Sequence, residues 1–255
     1  MRNSTRMRFL LPYSFVLIAF LSCKNDSYLT VPPPLPDASF SEEFDTMSAA
    51  YDRGWRYYNV SDPKGTGFWA QGLFNNPALT GFPAPIPFNA YSSKGSYVGF
   101  IGADYTSTSA AAGIISDWVV SPVTLLRNGD KIAFYTRSLI LNAGGGDSTD
   151  FGNRLQVRIS SKGESLNVGT GTNPGDFKDA VLDINPFYKF YHTDPSLYDP
   201  TAYPANWTRF EATVGGLDAP VKGRFAFRYY VEGGGSNGLA TAVGIDQVIY
   251  TSIKN

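Results

Sequence analysis

From Phe40 onward the chain alternates apolar and polar residues with a period of two, in short runs bounded by Gly, Pro, Asn and Asp, and has no helix-period segment of ordinary length. In RLQVRIS (residues 154–160), Leu155, Val157 and Ile159 point one way and Arg154, Gln156 and Arg158 the other. In GRFAFRYYV (residues 223–231), Phe225, Phe227, Tyr229 and Val231 share a face opposite Arg224, Ala226, Arg228 and Tyr230. Similar runs at residues 40–45, 54–60, 96–102, 115–121, 131–138, 207–214 and 242–251 bring the expectation to about nine strands, a count suited to a two-sheet sandwich. No repeat and no linker interrupts residues 40–255, which read as one domain.

Before Phe40 the pattern changes. Arg2, Arg6 and Arg8 precede an apolar run from Phe9 to Leu21, too short to span a bilayer and suited to a signal peptide over residues 1–22. Phe20-Leu21-Ser22-Cys23 resembles a lipobox, in which Cys23 would be acylated and hold the protein at the membrane; an ordinary signal peptide with an incidental Cys is the other reading. Lys24-Asn25-Asp26 resembles signals that send lipoproteins to the outer face of the outer membrane. Residues 23–39, rich in Pro, read as a stalk of extended polyproline geometry.

Composition supports the turn-rich β reading, because 26 Gly and 17 Pro accompany only 17% charged residues. With 21 basic against 22 acidic side chains and no block of like charge, the chain lacks the electrostatic footprint of a nucleic-acid binder. A single Cys and a single His exclude a disulfide scaffold and a zinc finger. Nucleophilic catalysis would have to use His192, with Asp194 as its neighbour and no G-x-S-x-G elbow to present a serine. A pair of carboxylates in one cleft would keep a polysaccharide hydrolase open as an alternative.

Four segments in order resemble the choice-of-anchor J domains, relatives of the cleaved adhesin domains of bacterial surface proteins. They are FSEEFD followed by Gly54-Trp55, ISDWVVSPV leading into NGDKIAFYTRS, RLQVRISSKG, and GRFAFRYYVEGGG closing with GIDQVIYT. The resemblance implies an all-β jelly-roll sandwich of the galactose-binding and MAM-like kind, exported and displayed on the cell surface. Members often carry a C-terminal sorting signal; here the chain stops five residues after Tyr250, and Cys23 is the expected anchor. The resemblance also implies a structural Ca²⁺ tying the two ends of the domain, through Glu43 near its start and Asp246 in its last strand, with carbonyls and water completing the shell. Hydrogen bonds to turns are the other role for these two acids.

For binding, Trp55, Trp118 and Trp207 read as core, whereas Trp69, Phe74, Phe82, Phe88, Tyr188, Tyr191, Tyr198 and Tyr203 fall in long loops, to stack on sugar rings or to pin the loops. Were their strands in one sheet, Tyr135, Arg137, Arg154, Gln156, Arg158, Arg228 and Tyr230 would line a polar, aromatic surface; a solvated outer face is the plainer account. The candidate ligand-binding residues are thus Tyr135, Arg137, Arg158, Arg228, Tyr230 and Trp69. The expected function is a non-catalytic surface lipoprotein that binds extracellular glycan or protein. A hydrolase or its accessory protein, and a structural surface component, are the alternatives.

Overall fold

The structure is a computed structural model and describes residues 34–73, 89–91 and 98–253. Cys23, the signal segment and most of the stalk lie outside the described residues, as do Phe74, Phe82 and Phe88. Pro36–Asn255 is one compact unit and contains every element described below.

Among the described residues there are fourteen strands, more than the alternation alone indicated, because several are three or four residues long. One sheet runs in the order β12 (Thr208–Thr213), β7 (Lys131–Ser138), β14 (Ala242–Thr251), β4 (Val98–Asp104) and β3 (Ala70–Leu73). β1 (Phe40–Glu42) also pairs with β14. The other runs β11 (Asp179–Ile184), β10 (Leu155–Ser160), β13 (Val221–Gly234), β5 (Gly113–Val120) and β2 (Arg56–Asn59), with β6 (Thr124–Leu126) on β13. All strand pairs in both sheets are antiparallel, and the result is the expected all-β jelly-roll sandwich. β8 (Leu141–Gly144) and β9 (Asp147–Thr149) form a separate hairpin. Among the described residues the helical elements are a six-residue helix, α1 (Met47–Asp52), and a 3₁₀ turn at Tyr105–Ser107.

The alternation explains the packing. Leu155, Val157 and Ile159 of β10, Phe225, Phe227, Tyr229 and Val231 of β13, and Ile132 and Phe134 of β7 point between the sheets and form one buried core. Each such side chain contributes roughly 1.5–3 kcal/mol by leaving water. Aromatic rings close the end of this core: Phe40 stacks on Phe225 at 6.1 Å and on Tyr250 at 5.5 Å, while Trp55 meets Phe225 edge-on at 5.8 Å. Trp55, predicted as core, is buried there.

The two ends of the domain meet over one turn. Asp130 Oδ2 accepts the N–H of Arg127 and the hydroxyl of Tyr250, and its Oδ1 accepts the N–H of Ile253. Arg127 donates in turn to the carbonyls of Ile253 and Pro36. Desolvation pushes the Tyr250 hydroxyl well above the ordinary range, and the adjoining Asp130 adds to this. Hydrogen bonds at Asp130 and Arg127 therefore tie the two ends of the domain together.

Candidate functional site

The polar faces of β7 and β13 are on different sheets. Tyr135 and Arg137 project from the outer face of the β12–β7–β14–β4–β3 sheet, and Arg158, Arg228 and Tyr230 from the outer face of the other. The single surface conceived from alternation thus divides in two, and the two parts have different chemistry.

On the β11–β10–β13–β5–β2 sheet the polar residues are structural. Arg228 is 2% exposed. Its guanidinium lies between the rings of Tyr230 at 3.9 Å and Trp118 at 4.9 Å. It donates to Ser116 Oγ at 3.1 Å and to the Gly171 carbonyl at 2.6 Å. Burial pulls its pKa down to about 10, so the charge is held at neutral pH by these partners and the two rings. Arg158 donates to the carbonyls of Phe177 and Lys178 and to Gln156 Oε1. Arg154 grips Asp183 with two hydrogen bonds at 2.9 and 2.6 Å. The segment carrying Val168, Gly171 and Phe177 packs over this face, so Arg158, Arg228 and Tyr230 anchor a loop and do not form an open ligand surface. Trp118, predicted as core, packs against Phe177 at 5.7 Å under the same segment.

Trp69 is corrected as well. It precedes β3 and is fully buried in the core between the sheets, where no ligand reaches its ring. Tyr203 is buried there too and bonds Thr136 Oγ1 at 2.5 Å, which pins its loop to β7. The Ile184–Asn206 loop is otherwise fastened by Asn185, whose amide donates to the carbonyls of Asn153 and Lys189, and by Asp150 Oδ1, which accepts the Tyr191 N–H. Phe187 stands 80% exposed on the turn that Asn185 locks.

His192 pairs with Asp147 rather than Asp194: its Nδ1 is 2.6 Å from Asp147 Oδ2, while Asp147 Oδ1 accepts the N–H groups of Thr193 and Asp194. Hydrogen bonding from His192, and then from Asp194, holds the Asp147 carboxyl well below the usual carboxylate range. Among the described residues no serine or cysteine is hydrogen-bonded to the imidazole. The pair fastens the Ile184–Asn206 loop to β9.

Of the two acids expected to hold Ca²⁺, Asp246 has backbone N–H donors on both carboxylate oxygens. Asp246 is buried on the outer side of β14, where its Oδ2 accepts the N–H of Tyr91 at 2.7 Å and its Oδ1 the N–H of Gln247 at 2.6 Å. N–H donors aimed at both oxygens oppose a cation. At the other end the buried acid is Glu42, not Glu43, and Arg53 grips it through Nε at 2.8 Å and Nη2 at 2.5 Å. Among the described residues no three Asp, Glu, His or Cys side chains converge on a point.

The face that remains is built around Tyr135. The register sets Arg209 of β12 and Asp246 of β14 on either side of Tyr135. One step along, Arg137 faces Gly244, which in turn faces Gly102 of β4. Two glycines in this row leave the sheet without side chains there, and Phe100 and Trp207 reach to 5.7 Å of each other. Gly72 of β3 is required beneath them, because a Cβ would lie 2.2 Å from the Phe100 ring. Over this face runs the short segment Asn89–Tyr91. Trp207 Nε1 donates to the Asn89 carbonyl at 2.7 Å, and Asp246 holds the Tyr91 N–H.

The Tyr91 ring consequently stacks on Tyr135 with centroids 3.6 Å apart and planes at 18°, and stands 6.5 Å from Trp207. The hydroxyl hydrogen bond to Tyr135 raises the pKa of Tyr91. Arg137 is half-buried, with its pKa lowered by burial. Arg209 and Lys131 share Glu211, at 2.9 and 3.5 Å. Tyr91 is 40% exposed, and Trp207 and Tyr135 are partly exposed. Flat aromatic surface, hydroxyls and guanidinium donors at one solvent-facing place can stack on a ring and hydrogen-bond its substituents. Sequence reasoning found Tyr135 and Arg137, assigned Trp207 to the core and passed over Tyr91, whose isolated place in a loop carried no periodic signal.

No protein-family profile matches the chain, and no curated protein matches it. Among solved structures the chain is similar to the K3 cleaved adhesin domain of Lys-gingipain from Porphyromonas gingivalis, with 14% identity over 86% of this chain and 99% of that one and a TM-score of 0.49. The K1 cleaved adhesin domain of the same protein gives 16% identity over 84% and 98%, with a TM-score of 0.48. The CBM22-2 xylan-binding domain of Paenibacillus barcinonensis Xyn10C gives 11% identity over 84% and 99%, with a TM-score of 0.37.

Proposed function

We propose that this chain is a non-catalytic surface module, lipid-anchored through Cys23 at the outer membrane, that binds an extracellular glycan or surface protein through the outer face of the β12–β7–β14–β4–β3 sheet. The observation that carries this reading is the stack of Tyr91 on Tyr135 beside Trp207, with Arg137 and Arg209 on the same solvent-facing surface. The sheet places Tyr135, Arg137 and Arg209 at little ordering cost at the moment of binding, which favours affinity at a shallow site. The opposite sheet has its arginines bound to carbonyls, and the Asp147–His192 pair has a fastening role, so neither competes as a site.

The test is a glycan array followed by calorimetry on the full chain, with Tyr135→Ala and Trp207→Ala as variants. Loss of one aromatic stacking contact is worth about 0.5–1.5 kcal/mol, up to roughly tenfold in Kd. Binding that survives both substitutions would place the ligand elsewhere. Metabolic labelling with a radioactive fatty acid, lost in Cys23→Ser, tests the anchor.

A further inference from the structure

We infer that the chain carries a second binding site, a cleft at one end of the sandwich beside the loop that joins β13 to β14, and that it takes a single uncharged sugar ring. The cleft stands apart from the reading of Tyr135 and Trp207 as a binding surface and does not depend on it. Its volume is about 450 Å³, and Tyr105, Leu141, Phe151, Ser236, Asn237 and Ala240 are among the residues that line it. That volume lies in the range of small-molecule sites, roughly 300–1,000 Å³.

The glycine-rich run at residues 233–238 forms one wall and is tied down by its own backbone. The Gly235 N–H donates to the Leu239 carbonyl at 3.0 Å, the Leu239 N–H to the Gly233 carbonyl at 2.8 Å, and the Asn237 N–H to the Ala111 carbonyl at 2.9 Å. Glycine is required at 238, where a Cβ would lie 2.1 Å from the Gly233 carbonyl oxygen. Across the cleft, the Ala240 N–H donates to the Phe151 carbonyl at 2.9 Å, and both residues have left-handed backbones, with φ of 80° and 53°. Two non-glycine residues held in that region at one cleft mean a backbone fixed by its surroundings, which is the condition for a preformed site.

Ser236 and Asn237 are exposed, and neither side chain is bonded to another described residue. A hydroxyl and a primary amide both donate and accept, which matches the paired hydroxyls of a sugar. Phe151 and Leu141, each half-buried, offer apolar surface to the C–H face of a ring. Among the described residues that line the cleft none is charged. A carboxylate, phosphate or ammonium entering it would shed water without gaining a counter-charge from them, a cost that an uncharged ring avoids.

The experiment titrates the isotope-labelled full chain in detergent with glucose, galactose and N-acetylglucosamine, and with glucuronate and galacturonate as charged counterparts, following backbone amides by NMR. The expected result is a saturable shift at the amides of Gly235, Gly238 and Thr241 with at least one neutral sugar, with a Kd of the order of 1 mM. Asn237→Ala should weaken that sugar by about fivefold and Ser236→Ala by about twofold; both side chains are exposed, so the fold tolerates either change. Neither uronate should bind as tightly as the best neutral sugar. Absence of a saturable shift at those three amides overturns the cleft, and the amides of Tyr91 and Tyr135, read in the same spectra, report on the sheet face separately. A uronate bound more tightly than every neutral sugar overturns the uncharged class. Affinity unchanged when Ser236 and Asn237 are both replaced by Ala overturns the assignment of these side chains to the ligand.

Discussion

Asp246 Oδ2 accepts the backbone N–H of Tyr91 at 2.7 Å, and this bond sets the Tyr91 ring on Tyr135 at 3.6 Å. A carboxylate buried in the last long strand thus positions an aromatic ring from a segment that precedes it by 155 residues. Trp207 Nε1 fixes the same segment from the other side through the Asn89 carbonyl. The aromatic surface is therefore assembled from three distant parts of the chain, with hydrogen bonds from Asp246 and Trp207 fixing the Asn89–Tyr91 segment.

Asp246→Ala is expected to destabilise the domain by about 1–3 kcal/mol, since it leaves the Tyr91 and Gln247 N–H groups without that acceptor. The distinguishing effect is local. Hydrogen exchange at the Tyr91 amide should accelerate beyond the global change, and affinity for any ligand of this face should fall with it. Unchanged exchange at Tyr91 would dissociate Asp246 from the ring stack.

Metal chelation separates the two accounts of the acids at the domain ends. Because Asp246 is held by N–H donors and Glu42 by Arg53, EDTA and added Ca²⁺ are both expected to leave the melting temperature unchanged. A site with structural affinity would show a shift that grows with the logarithm of Ca²⁺ concentration. Such a shift would return Glu43 and Asp246 to the role that the sequence suggested.

The fold was legible because period-two alternation is a direct imprint of a sheet with one buried face. Leu155, Val157 and Ile159, and Phe225 to Val231, behave as the pattern requires. The site was only half legible, since alternation gives the face on which a residue projects but not the sheet to which its strand belongs. Tyr135 and Arg228 looked equivalent on this measure, yet one fronts solvent and the other lies under a loop. Trp69 misled for a related reason. It precedes a four-residue strand too short to show alternation, and its burial depends on long-range packing that no local window contains.

Arg228 provides the contrast with the binding face. Arg228→Ala removes the cation between Trp118 and Tyr230 and leaves Ser116 Oγ and the Gly171 carbonyl to find other partners. The expected cost is about 2–4 kcal/mol in urea unfolding, with ligand affinity at 25 °C unchanged. A drop in affinity without a drop in stability would restore Arg228 as a ligand contact.

The Asp147–His192 fastening has a defined acid limit. Since the folded carboxyl is held below its ordinary value, its contribution to stability is complete above the unfolded Asp value near 3.9 and is lost as pH falls through the lower folded value. Carbon NMR of the Asp147 carboxyl should accordingly show an ionised group at pH 4. Asp147→Asn should accelerate amide exchange at Thr193 and Asp194, which donate to it, whereas unchanged exchange would deny the fastening role.

Asp117 behaves in the opposite sense. It is fully buried between the sheets, accepts the Ser107 hydroxyl at 2.8 Å, and burial pushes its carboxyl well above the ordinary range. A folded carboxyl that keeps its proton longer than the unfolded one makes the native state bind more protons, so stability falls as pH rises from about 4 toward the folded value. Asn keeps the shape and an acceptor for Ser107 while removing the charge that must otherwise be suppressed. Asp117→Asn is therefore expected to stabilise the domain at pH 7, by about 1–3 kcal/mol, and to have little effect below pH 4. Urea unfolding at the two pH values measures both arms. Destabilisation at pH 7 would mean that the core uses Asp117 as an anion, and would direct attention to a cation beside it.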